Sequence, residues 1–453
     1  MVETLQQNIK LPKVNIDKAP MPGKNLVFRL FFRFLQFFAA VTLRSYFRRI
    51  EIINPELLNT SGRTILISNH PNTLIDPLMA LQNSFLRPFL LSNASLFKSF
   101  IPRTVLSALY CIPVKRAKDF DSGFVNNTEI FARCLTHLKE GGSLYIAPEG
   151  TSVNERHIRP FKKGLAHIYS EAYNAPNNLT DLKILMIGLT YYSPQKPNTD
   201  VVIEVSEPFQ PKMDYSDFAN IKTLDAIRKE IEKKFGQLVI NCKDANEERF
   251  LEKIETLAQS EKYLPLREKY FRSKEILKTL RDEKLRNEKI FGEFENQIKN
   301  YFAVLKNNNL RDVNVKKFAF YKIVFRSLIC LPFSIFGFIN NFIPLTLIGI
   351  LKRSKYFNFE SDYYTCVQYV SGFILYPAFW YLQFQVWRRF FFLPHDAFLY
   401  FSAVIACGFL ARAEWVRIKK FYNYTKFRRF SESTQVMQER SAIINQLKTW
   451  KVI

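Results

Sequence analysis

The sequence predicts an α/β fold, with a central, mostly parallel sheet flanked by helices, followed by C-terminal helical membrane segments. Three observations predict it. Between residues 60 and 210, short runs rich in β-branched residues alternate with helical stretches, the rhythm of strand–helix–strand units on a parallel sheet. Two later stretches, Ser327 to Leu351 and Tyr364 to Trp387, carry no charged residue, and each exceeds the roughly 20 residues that span a bilayer. The 453-residue chain is also aromatic (15%, with 44 Phe) and basic (net charge +24). Aromatic richness excludes a disordered chain. With 14 Gly and 21 Pro, a collagen-like chain is excluded too. Six scattered Cys without a Cys-x-x-Cys pair argue against a disulfide scaffold or zinc ribbon and fit a reduced, cytosol-facing body. Charge plus aromatics leaves nucleic acid or an anionic membrane as partner. The uncharged stretches favour anionic membrane lipids, and no nucleic acid is expected.

Along the chain, residues 1–24 read as a polar, flexible arm with no apolar signal-peptide core. Residues 25–52 read as an interfacial amphipathic helix. Arg29, Arg33, Arg44, Arg48 and Arg49 interrupt a Phe/Leu-rich pattern, placing Phe toward lipid and Arg toward phosphates; a core helix with snorkelling Arg is the alternative. Residues 53–215 form the α/β domain. Its expected strands are Thr64–Ser68, a run around Leu109–Pro113, Ser143–Ala147, Ile184–Leu189 and Val201–Val205, with helices over Phe124–Lys139 and Gly164–Tyr173. Residues 216–316 are a charged helical region, with two or three amphipathic helices broken near Pro265. Residues 317–453 are a membrane hairpin, a short third apolar segment (Ala397 to Ala411) and a basic tail. Lys316, Lys317, Lys322 and Arg326 before the hairpin, and Arg388 and Arg389 after it, place those flanks on the cytoplasmic side.

Ligands of open parallel sheets gather beyond the carboxyl ends of the strands, and three strand ends carry polar residues. The first runs into Asn69-His70-Pro-Asn-Thr-Leu-Ile-Asp76. A neutral imidazole with a carboxylate partner is a general base near pH 7. Pro71 disfavours helix at His70 and suits a helix start, so His70 sits on a loop before a helix that holds Asp76. The second strand runs into Lys115-Arg116, a candidate phosphate or carboxylate clamp. The third runs into Pro148-Glu149-Gly150-Thr151-Ser152, then Lys162-Lys163-Gly164. There Gly lets backbone approach a ligand, Thr can donate to an oxyanion, and the lysines add charge at a helix start.

The order of these blocks resembles the glycerophospholipid acyltransferase superfamily, which contains glycerol-3-phosphate and 1-acylglycerol-3-phosphate acyltransferases. Asn69-His70…Asp76 is similar to its His/Asp box, Val114-Lys-Arg116 to its second block, and Ala147-Pro-Glu-Gly-Thr151 to its third. Ile187-Gly188-Leu189 stands at a fourth, without that block's Pro. The box has five intervening residues rather than four, similar to the fungal-type glycerol-3-phosphate/dihydroxyacetone-phosphate branch. Ser152 stands where many relatives have Arg, for which Arg156, Arg159, Lys162 or Lys163 could substitute. The resemblance implies a membrane-bound enzyme of phospholipid biosynthesis, with its catalytic domain facing the cytoplasm. It would move an acyl group from acyl-CoA or acyl-carrier protein to a glycerol hydroxyl, with His70 as general base and Asp76 holding its tautomer. Arg116, Lys115, Glu149, Gly150, Thr151, Lys162 and Lys163 would bind the glycerophosphate or lysophospholipid acceptor. No cofactor or metal is implied. The alternative is a catalytically inactive, membrane-anchored interaction protein of the same fold.

Overall fold

The computed structural model describes residues 26–59, 62–82, 84, 86, 88–97, 106, 109–115, 127–174, 178–211, 221–312, 320–354, 364–390, 394–430 and 433–453. The polar arm of residues 1–24 and Arg116 lie outside them. The chain divides into two units, Met1–Asn154 with Ile158–Asn241, and Glu155–His157 with Cys242–Ile453.

The first unit holds a seven-stranded sheet. Its strands are β1 (Arg49–Ile53), β2 (Thr64–Ser68), β3 (Phe89–Asn93), β4 (Cys111–Val114), β5 (Ser143–Ile146), β6 (Lys183–Tyr191) and β7 (Asp200–Val205), in the order β1-β7-β6-β2-β5-β3-β4. All neighbouring pairs are parallel except β6 with β7. β2 is buried along its whole length, as a central strand covered on both faces must be. Alternation sends Ile65 and Ile67 into a core shared with α3 (Thr128–Lys139), α4 (Gly164–Tyr173) and α5 (Ile221–Leu238). On the other face α2 (Ile75–Leu81) packs on β2 and β6, and α1 (Leu26–Tyr46) packs on α2.

Four expectations change here. The N-terminal helix stops at Tyr46, and residues 49–53 are a strand; its register puts Arg49 opposite Asp200, and the buried carboxylate holds both Arg48 and Arg49. An additional strand, β3, lies between β5 and β4. Helix α5 belongs to the first unit rather than to the charged helical region, because Leu224, Ile227, Ile231 and Phe235 bury into the sheet's core. The third apolar run is the first half of a long helix, since no Gly or Pro breaks the chain between Arg412 and Arg428.

In the second unit, α6 (Ala245–Glu261), α7 (Leu266–Arg286) and α8 (Glu288–Asn307) bury apolar stripes, with the break at Pro265. Helix α12 (Ser433–Thr449) packs on α8. Its buried Arg440 reaches Asp312 at 2.9 Å, Glu261 at 2.7 Å and Ser260 at 2.6 Å. The same unit contains α9 (Phe320–Arg353), α10 (Tyr364–Trp387) and α11 (Pro394–Arg428). Among the described residues, α9 and α11 are long and apolar enough to cross a membrane, and α10 is uncharged throughout. Their outward Phe325, Phe338, Phe398 and Phe409 are exposed. α9 and α11 cross closely: a Cβ on Gly337 would collide with the Cys407 carbonyl, and one on Gly408 with the Asn341 side chain. Small residues permit such approach, and side-chain amides fasten it. Asn341 donates to Val404 O at 3.1 Å and accepts from Trp380 Nε1 at 2.9 Å; Tyr400 donates to Asn340 at 2.7 Å.

Burial alone would raise the Asp200 pKa, but hydrogen bonds from Arg48 and Arg49 outweigh it and hold the carboxyl at about 2. Asp200→Asn should therefore cost about 1–2 kcal/mol, the half-exposed Arg48 reducing the value of the pair. Melting of wild type and variant across pH checks this. The gap should be full above the ordinary carboxyl pKa of 3.8 and should close as pH falls toward 2, where wild-type Asp200 takes up its own proton.

Candidate active site

The site lies beyond the carboxyl ends of β2, β5 and β6, three adjacent strands of the sheet. β2 ends at Ser68, and the next side chain extends its pairing to β6: Asn69 Nδ2 donates to Leu189 O and Asn69 Oδ1 accepts from Leu189 N, both at 2.8 Å. An amide supplies one donor and one acceptor in the spacing of a peptide group, so the chain leaves the sheet in a fixed direction. His70 follows, on a loop.

Six positions turn a continuous helix through about 600°, or 240° past a full turn, so His70 and Asp76 could not share a helical face. The loop resolves this. Thr73 takes a left-handed conformation (φ 44°), uncommon for a β-branched residue, and α2 starts only at Ile75. The Asp76 side chain then folds back: His70 Nδ1 donates to Asp76 Oδ2 at 2.9 Å, and the Asn72 N–H donates to the same oxygen at 2.7 Å. The Tyr191 hydroxyl, at the end of β6, donates to Oδ1 at 2.7 Å. Asp76 is fully buried. Burial pushes its carboxyl above the ordinary value, against the bonds from His70, Asn72 and Tyr191. With Nδ1 occupied, His70 keeps Nε2 as an acceptor on a ring about a quarter exposed. That is the arrangement of a general base.

The loop after β5 braces the His70 loop. Glu149 is buried, and its two oxygens accept from the backbone N–H of His70 at 2.9 Å and of Arg159 at 3.2 Å. Burial pushes this carboxyl up as well, opposed by those two bonds. Ser152 Oγ accepts from Thr73 N at 2.9 Å, and Val153 N donates to His70 O at 3.3 Å. So Ser152 holds the turn that absorbs the longer His/Asp spacing.

The remaining predicted residues separate. Gly150 has φ 68°, and a Cβ there would press on the stem of Lys162, 3.1 Å away; Thr151 is half-buried beside it. Lys163 is turned to Asp225 on α5, 3.8 Å away. Lys115 follows edge strand β4, three strands from β2, or about 14 Å at sheet spacing. Its backbone is clamped on both sides by the Asn127 amide. Arg156 is no stand-in for the missing Arg: within the second unit its guanidinium is enclosed by Glu248, Glu252 and Glu255. Sequence reading missed Tyr191, two residues beyond the strand it recognised, and the bracing by Ser152. A tyrosine at a strand's carboxyl end was the available signal for the first.

Residues 49–190, which include this site, match the family described as Acyltransferase. The chain is similar to glycerol-3-phosphate O-acyltransferase 1 of Saccharomyces cerevisiae, with 26% identity over 225 residues, 47% of this chain and 29% of the yeast protein. It thus spans under a third of that relative's length. The crystal structure of the 1-acyl-sn-glycerophosphate (LPA) acyltransferase PlsC from Thermotoga maritima aligns with 46% of this chain and 77% of its own, at 18% identity and a TM-score of 0.34.

Asn69→Leu keeps the branched shape of the side chain and leaves the buried N–H and C=O of Leu189 unpaired. It should cost about 2–4 kcal/mol, read as a lowered denaturation midpoint; an unchanged midpoint would show that the amide bridge does not hold the strand end.

Proposed function

We propose that the chain is a membrane-bound glycerophospholipid O-acyltransferase. It moves a fatty acyl group from acyl-CoA or acyl-carrier protein to a hydroxyl of 1-acylglycerol-3-phosphate or glycerol-3-phosphate, in phospholipid biosynthesis. The observation that carries this reading is the buried Asp76 carboxylate on His70 Nδ1, within the residues that match the acyltransferase family. His70 Nε2 takes the proton of the acceptor hydroxyl as its oxygen attacks the thioester carbonyl. The C–S bond then breaks, the ester remains on the glycerol, and the proton passes to the leaving thiolate. Asp76 holds the tautomer and offsets the imidazolium charge. Gly150 and Thr151, with Lys162, Lys163, Lys115 and Arg116 as cations, receive the glycerophosphate end. Glu149 serves the site by holding the His70 loop.

The long apolar helices α9 and α11 anchor the protein, with basic flanks toward the cytoplasm. Helix α1 adds an exposed stripe of Leu26, Leu30, Phe34, Phe37 and Val41, which lies against anionic lipid with the neighbouring arginines at the phosphates.

Two measurements test the reading. Purified protein is offered glycerol-3-phosphate, dihydroxyacetone phosphate and lysophosphatidate in parallel, with acyl-CoA and acyl-carrier protein as donors. Transfer to a phosphate-bearing acceptor is expected, and transfer to none would favour the inactive, membrane-anchored alternative. His70→Ala should lower kcat by about a thousandfold while leaving the melting curve and membrane extraction unchanged; full activity in that variant would overturn the mechanism.

A further inference from the structure

Each oxygen of Asp76 has its own partners. Oδ2 faces His70 and the Asn72 amide, while Oδ1 faces only the Tyr191 hydroxyl among the described hydrogen bonds. Tyr191 is buried at 4% exposure, on a different strand from the His70 loop, and its ring packs against Phe47 at 5.8 Å between centroids. The carboxylate is therefore gripped from two sides, by the loop that carries the base and by the sheet. A carboxylate with one free oxygen could rotate about χ2; this one cannot without breaking a charge-assisted bond.

We propose that Tyr191 is a positioning residue for the His70–Asp76 pair, whose hydroxyl fixes Asp76 against the sheet and so sets both the orientation and the basicity of His70. The titratable groups that face Asp76 are His70 from its own loop, Tyr191 from β6, Tyr145 from β5 and Glu149 from the loop after β5. Tyr145 spends its hydroxyl on Ser68 and Glu149 on two backbone amides. That leaves Tyr191 as the neutral side-chain donor on Asp76, beside the Asn72 backbone N–H on the other oxygen. Burial and the neighbouring Asp76 charge push the Tyr191 phenol far above its ordinary value, so it stays a donor at every working pH. Withdrawing it concentrates the negative charge on the oxygen that faces His70, and the pair takes its first proton at higher pH.

The inference rests on the acyl-transfer reading for its kinetic readout alone; a second readout stands apart from it. Diethyl pyrocarbonate labels neutral imidazole, and mass spectrometry of the peptide holding His70 gives the pH at which its reactivity is lost, with no acyl donor present. In full-length Tyr191→Phe this midpoint should rise by about half a unit or more. With 3,5-difluorotyrosine at position 191, a stronger donor of nearly the same shape, it should fall. In the transfer assay, Tyr191→Phe should lower kcat about tenfold to a hundredfold with little change in KM, and move the acid limb of the kcat profile upward. An unmoved His70 midpoint in both variants overturns the inference, whether or not transfer is seen. Opposite shifts in a protein that transfers to no acceptor would uphold it and sink the acyl-transfer reading instead. Should the Phe variant fail to fold, the fluorinated residue alone decides by the sign of its shift.

Discussion

A carboxylate removed entirely from water must find its hydrogen bonds in the protein, and the architecture around Asp76 follows from that requirement. The Asn72 amide reaches it only because the chain turns through a left-handed Thr73. That turn is held by Ser152, and the His70 backbone is held by Glu149. Tyr191 reaches it only because β6 runs four residues beyond Ile187, its last residue paired with β2. The Asn69–Leu189 bridge keeps those two strand ends in step. Three segments distant in sequence, residues 69–76, 149–153 and 189–191, thus converge around one side chain, and the imidazole inherits its orientation from them.

Much of this could be read before any coordinates. The strand ending at Ser68, the helix Gly164–Tyr173 and the strand at Val201–Val205 were legible because buried strands are short runs of mostly β-branched apolar residues and helices show their stripe. β1 was hidden because its Arg-Ile-Glu-Ile-Ile run continues the Arg-spaced pattern of α1, and only the pairing of Arg48 and Arg49 with Asp200 reveals it as an edge strand. α5 looked like part of a charged region because its buried residues are four among many Lys and Glu. In the site, His70 and Asp76 were legible from the order of motifs. Tyr191 and Ser152 were not, since their roles depend on strand register and on one backbone dihedral angle.

The charge that marks the composition is also divided by the structure. Arg156 and Arg440 sit in carboxylate cages inside the second unit; they stabilise helix packing and are unavailable to any anion. Lys162 and Lys163 stay exposed just before α4, Lys163 with Asp225 3.8 Å away, so neither is enclosed as the two arginines are. Net charge alone could not separate an arginine enclosed by carboxylates from a lysine exposed on the surface.

The close crossing of α9 and α11 has an evolutionary side. The outward Phe, Ile and Leu of those helices are exposed and pack against little of the chain, so one can drift to another at little cost. Gly337 and Gly408 have no such latitude, because even alanine would wedge the backbones apart and pull Asn341 from Val404 and Trp380. Descendants of this sequence should therefore scramble the visible exterior of the helices long before they change two hydrogens in the middle of them.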